Sequence, residues 1–75
     1  MSVFQDLYDS EINFKVSTFW DGGFDVWLGD DMNGYLAETC VRTWDEVERW
    51  LIDAALKHYP NSKFAREYKM RAFAS

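Results

Sequence analysis

The run Thr43–Tyr59, TWDEVERWLIDAALKHY, constrains the fold most, because it joins a helix start signal, a sustained helical period and a stop signal. Thr43 with Glu46 three residues later is a capping box, in which hydroxyl and carboxylate satisfy orphan backbone N–H groups of the first turn. Asp45, Glu46 and Glu48 then sit near the positive end of the helix dipole. At about 100° per residue, Trp44, Val47, Leu51, Ala54, Ala55 and His58 share one side, and Asp45, Glu46, Arg49, Asp53 and Lys57 the other. Pro60 removes the next backbone donor, restricts Tyr59 and, with Asn61 and Ser62, closes the segment. So wide an apolar face requires a second layer to cover it.

The preceding residues supply that layer. Ile12 to Trp20 alternates, with Ile12, Phe14, Val16, Thr18 and Trp20 on one face and Asn13, Lys15, Ser17 and Phe19 on the other. Asp21-Gly22-Gly23 reads as a three-residue loop that pairs Trp20 with Phe24, Thr18 with Val26 and Val16 with Leu28. Phe24 to Gly29 is a second strand, leading to Asn33-Gly34, a strong hairpin signal. Tyr35 to Arg42 is the third, and with Asn33-Gly34 as the turn it sets Thr39 beside Leu28, Val41 beside Val26 and Cys40 beside Trp27.

Ser2 to Asp9 carries a second capping-box pattern, Ser2 with Gln5, and spaces Phe4, Leu7 and Tyr8 as a short helical turn. Lys63 to Ala74 places Phe64, Tyr68 and Ala72 at four-residue steps, the period of a second helix. The expectation is one small α+β domain over residues 1–75: a helical turn at 2–9, a three-stranded antiparallel meander at 12–42, the main helix at 43–59 packed on the sheet, and a C-terminal helix at 62–74.

At 75 residues, a single core supplies only about 3–5 kcal/mol, and the 19% aromatic content is the available reinforcement. A lone cysteine, Cys40, excludes an internal disulfide framework and indicates a reducing compartment. The first residues carry acids where a signal peptide carries bases, and no apolar run approaches the ~18 residues that span a membrane. These features predict a soluble, cytoplasmic chain with no membrane partner. Residues 1–54 hold three bases against twelve acids, and residues 55–75 five bases against one acid. The acidic body disfavours broad nucleic-acid binding and leaves only the basic tail to attempt it.

Three strands followed by a helix, over roughly residues 12–57, resemble the N-terminal half of the HicB-like antitoxin family, whose domain resembles a partial RNase H fold. The resemblance rests on Asp21-Gly22-Gly23 in the first hairpin and on Thr43 with Asp45-Glu46 opening the helix. The family usually continues into a fourth strand and often a DNA-binding module, whereas this sequence continues with helical spacing. The resemblance implies topology and transfers no functional residue.

No glycine-rich phosphate loop, nucleophile motif or metal-ligand spacing occurs, so catalytic residues, metals and cofactors are not expected. His58, the only histidine, reads as a packing residue without a second ligand or nucleophile nearby. Asp30, Asp31 and Asn33 lack the bidentate acid that a calcium loop needs about twelve residues along, and read as a structural turn. Phe19 and Trp27, with Cys40 and Leu36, fall on the sheet side away from the main helix. Either the N-terminal turn or the C-terminal helix folds over them, or they form an apolar patch of the kind that marks a protein interface, for another protein or a second copy. The alternative is a small regulator that touches nucleic acid or another anion through Lys63, Arg66, Lys69 and Arg71, interleaved with Phe64, Tyr68 and Phe73.

Overall fold

The computed structural model describes residues 3–74, with side chains through Arg71. The elements run α1 (Val3–Asp9), β1 (Phe14–Phe19), β2 (Gly23–Asp30), β3 (Gly34–Val41), α2 (Trp44–His58) and α3 (Lys63–Ala74). The three strands form one antiparallel sheet in the order β1-β2-β3, so the fold is α+β, as the patterning predicts. The shortest dimension, 18 Å, has room for one sheet and one helical layer.

Capping fixes where α2 begins. The Glu46 amide donates to Thr43 Oγ1 (3.2 Å), and the Thr43 hydroxyl donates to Glu46 Oε1 (3.1 Å). The Glu46 carboxylate also accepts from the Arg42 amide, one residue earlier than a simple capping box requires. From that start Val47, Leu51, Ala54 and Ala55 fall on one stripe and are buried against Val26 and Leu28 of β2. Leu7, Ile12 and Phe64 complete the core. Trp44 departs from the expected apolar face: it is 53% exposed and instead lies edge-on to Phe4 (6.1 Å) and 4.5 Å from Phe24.

The faces of the strands agree with the alternation, but both registers differ from it. Observed pairs are Phe14 with Leu28, Val16 with Val26 and Thr18 with Phe24, a slip of two residues from the expected pairing. The loop is therefore Trp20-Asp21-Gly22, closed by the Gly22 amide donating to the Phe19 carbonyl (3.0 Å). Gly23 lies within β2 at φ 107°, where a Cβ would collide with the Val41 carbonyl oxygen. That close approach excludes Gly23 from the loop and moves Trp20 into it. On the other side of β2, Phe24 pairs with Val41 and Asp25 with Cys40, so Cys40 is not beside Trp27. The turn is Asp31-Met32-Asn33, with Gly34 opposite Asp30, and a bulge at Leu28/Gly29 leaves Leu36 as the extra residue of β3. A two-residue Asn33-Gly34 turn does not form, because the Asp30 carboxylate organises the longer loop.

The helix at 2–9 is seen as α1, but Ser2 lies outside the described residues, and Gln5 donates to Asp9 instead (2.9 Å). Its other end has a feature that the sequence does not announce. The Ile12 amide donates to the Leu7 carbonyl (3.0 Å) and the Glu11 amide to the Tyr8 carbonyl (3.1 Å), a Schellman arrangement with Glu11 at φ 61°. The accompanying hydrophobic pair is Leu7 with Ile12, both buried. Glutamate occupies the left-handed position that glycine ordinarily takes, so the usual stop signal is missing from the sequence.

Glu11→Gly should raise stability by up to about 1 kcal/mol, relief of left-handed strain outweighing the entropy that glycine adds to the unfolded chain. Urea melts of the two proteins measure this. A lower midpoint for the variant would show that the Glu11 side chain makes a contact worth more than the strain.

Candidate functional site

α1 and α3 both pack on the α2 side of the sheet. Phe4 of α1 meets Phe14 (5.7 Å) and Trp44, while Phe64 and Ala65 of α3 are buried in the core. Arg71 of α3 reaches Asp6 of α1 at 3.8 Å, tying the two helices together. Neither helix crosses to the opposite face, which carries Lys15, Ser17 and Phe19 of β1, Asp25 and Trp27 of β2, and Glu38 and Cys40 of β3.

The residues expected to form one patch are distributed across that face in rows. Phe19 pairs with Gly23, whereas Trp27 pairs with Lys15 and Glu38, four residues further along β2 or about 13 Å. Between them lies the polar row Ser17, Asp25 and Cys40. The two rings do not meet, because the slip of two residues moves Phe19 one row away from Trp27. Trp27 is half-buried, with the Lys15 ammonium 5.1 Å from its ring centroid and the Tyr35 ring 6.3 Å away. Leu36, 48% exposed, lines a shallow groove with Trp27, Tyr35 and Glu38.

Cys40 is exposed, and its Sγ donates to Asp25 Oδ1 at 2.6 Å. That hydrogen bond, then desolvation and the Asp25 and Glu38 charges, hold its pKa above the usual thiol value. The bond favours the protonated thiol, which lies on the face opposite the half-buried His58 of α2.

Sequence reasoning missed the most exposed apolar group at this end of the sheet. Trp20, expected on the buried face, is 97% exposed in the loop, beside Phe19 at 49%. These two line a cleft with Phe24, Thr18 and Arg42. The alternation gave no warning, since Trp20 continues the apolar series of β1 without interruption.

At the far end Asp30 acts as a turn organiser. Its Oδ1 accepts from the Met32 amide (3.0 Å) and the Asn33 amide (2.7 Å), and its Oδ2 accepts from Asn13 Nδ2 (2.7 Å). The Asn33 amide, then Asn13, hold the carboxyl below its ordinary pKa. Tyr35 donates its hydroxyl to Asp31, which raises the phenol pKa. Among the described residues no three His, Cys, Asp or Glu side chains converge as a metal site.

In α3, Lys63, Arg66, Lys69 and Arg71 are all exposed, but they do not act alike. Arg71 is engaged with Asp6. Phe64 is buried and stacked on Tyr68 (6.0 Å, 18° between planes), and the Phe73 side chain lies outside the described residues. No helix among the described residues is long and apolar enough to cross a membrane. Comparison with known proteins found no matching family model, no similar curated protein and no similar solved structure.

Because the folded pKa of Asp30 is depressed, the stability this carboxylate adds is present above 3.8 and lost as pH falls through the lower folded value. NMR titration of the Met32 and Asn33 amides should therefore give a midpoint below 3.8. A midpoint at or above that value would mean the loop is not held by this carboxylate.

Proposed function

We propose that this chain is a protein-interaction module whose contact surface is the hairpin end of the sheet, centred on Phe19 and Trp20, and the helix-free face that adjoins it. The observation that carries the reading is the near-complete exposure of Trp20 beside a half-exposed Phe19. Leaving such rings in water forfeits roughly 1.5–3 kcal/mol of burial per side chain, a large sacrifice for a domain of this size. Tryptophan and arginine are the residue types that dominate binding energy at protein interfaces, and Arg42 borders the same cleft. Trp27 and Leu36 extend the surface toward the other end, with Cys40 in the polar row between.

A second reading, an antitoxin-like regulator that touches nucleic acid through the tail, is supported by the exposure of Lys63, Arg66 and Lys69. It has less behind it, since Arg71 pairs with Asp6 and Phe64 is buried rather than offered for base stacking. Steep salt dependence is the property that distinguishes it from aromatic docking.

The double substitution Phe19→Ser, Trp20→Ser should weaken binding of proteins that co-purify with the chain by at least about tenfold, the loss of one or more anchor residues. The thermal midpoint of the variant should move little. Unchanged binding to the purified partner would overturn the reading, and collapse of the fold would show that these rings belong to the core.

A further inference from the structure

Among the described residues the sheet has no strand beyond β1 or β3, so each of these edge strands presents a row of outward-facing backbone N–H and C=O groups. We propose that β3 pairs antiparallel with β3 of a second copy, about a two-fold axis through Cys40, joining two three-stranded sheets into one of six strands. The proposal rests on the reading of the chain as an interaction module and names one partner for it.

Charge selects both the edge and the register. From Gly34 to Arg42 the only charged residues are Glu38 and Arg42. A two-fold antiparallel pairing sets residue i opposite a fixed mirror position, so a centre at Cys40 alone places Glu38 directly opposite Arg42 of the second copy, and does so twice. A centre at Glu38 would put two carboxylates face to face, which destabilises a cross-strand pair. With Cys40 central, Thr39 meets Val41, both half-buried on the α2 side and open to further burial. The bulge that leaves Leu36 unpaired interrupts the first part of β3, so the pairing falls on its end, Glu38 to Val41, together with Arg42, the first residue past the strand. β1 offers no equivalent. Its only charged residue is Lys15, which no acid of β1 can face.

The geometry points to a closed dimer with both helical layers on one side, because residues directly opposite in an antiparallel pair project from the same face. The helix-free faces then run together, and the hairpin ends of both copies flank a doubled surface.

Sedimentation equilibrium should find a monomer–dimer equilibrium. Glu38→Arg or Arg42→Glu alone sets like charges opposite each other twice and should raise the dimer Kd by about tenfold or more, whereas the two together restore the opposition. Recovery of dimer in the double variant, with both single variants folded by circular dichroism, is the expected result. A second readout uses diamide at mildly alkaline pH: two Cys40 thiols join, their two protons and two electrons reducing the diamide. Wild type and the double charge variant should cross-link more than either single variant, and Cys40→Ser should not cross-link. The Phe19→Ser, Trp20→Ser protein should dimerise like wild type, so failure here is separable from failure of the hairpin-end surface. A monomer at every concentration, open-ended assembly, or a dimer indifferent to the charge exchange would overturn the proposal.

Discussion

Where β2 can lie is set by two glycines and two aliphatic residues. Val26 and Leu28 must be buried under α2, while Gly23 and Gly29 approach β3 so closely that a Cβ at either would overlap its backbone. Both glycines hold positive φ, which only glycine adopts without strain. The central strand is thereby fixed against β3 at two points and against the helix at two more. What happens on the far side of the sheet follows from that fixing, including the position of every side chain in the candidate surface.

Much of this architecture was legible in residue patterns. Thr43 and Glu46 mark the start of α2, Pro60 its end, and the 3.6-residue period identifies Val47, Leu51, Ala54 and Ala55 as the buried stripe. Alternation identified the inner faces of the strands as well. It did not fix their registers, for a physical reason: side chains repeat every two residues along a strand, so a slip of two leaves each face unchanged. Val16 beside Val26 and Val16 beside Leu28 satisfy the same pattern. Only the tertiary approach of Gly23 to Val41 and the Asp30-organised loop distinguish them, and neither is visible in hydrophobic periodicity.

The candidate site was legible to a smaller extent for the same reason. Phe19, Trp27 and Cys40 lie on the helix-free face, yet the observed register separates Phe19 from Trp27 by the row of Ser17, Asp25 and Cys40. The alternating series points Trp20 inward, yet in the loop that follows β1 its side chain is 97% exposed. The basic residues of α3 were recognised by composition, but composition cannot show that Arg71 is tied to Asp6 or that Phe64 is consumed by the core. A small domain with its helices on one side leaves the opposite sheet face without a helical layer. Its aromatic wealth is divided between holding the layers together, as Phe4, Phe14, Phe24 and Trp44 do, and standing at the surface.

The register of β1 against β2 is thus the claim on which the surface depends, and cross-strand NOEs in an isotope-labelled sample test it most directly. The account predicts contacts linking Phe14 with Leu28, Val16 with Val26 and Thr18 with Phe24, and none between the Trp20 backbone and Phe24. Contacts linking Trp20 with Phe24 and Val16 with Leu28 would contradict it, returning Trp20 to the inner face and removing the centre of the proposed interface.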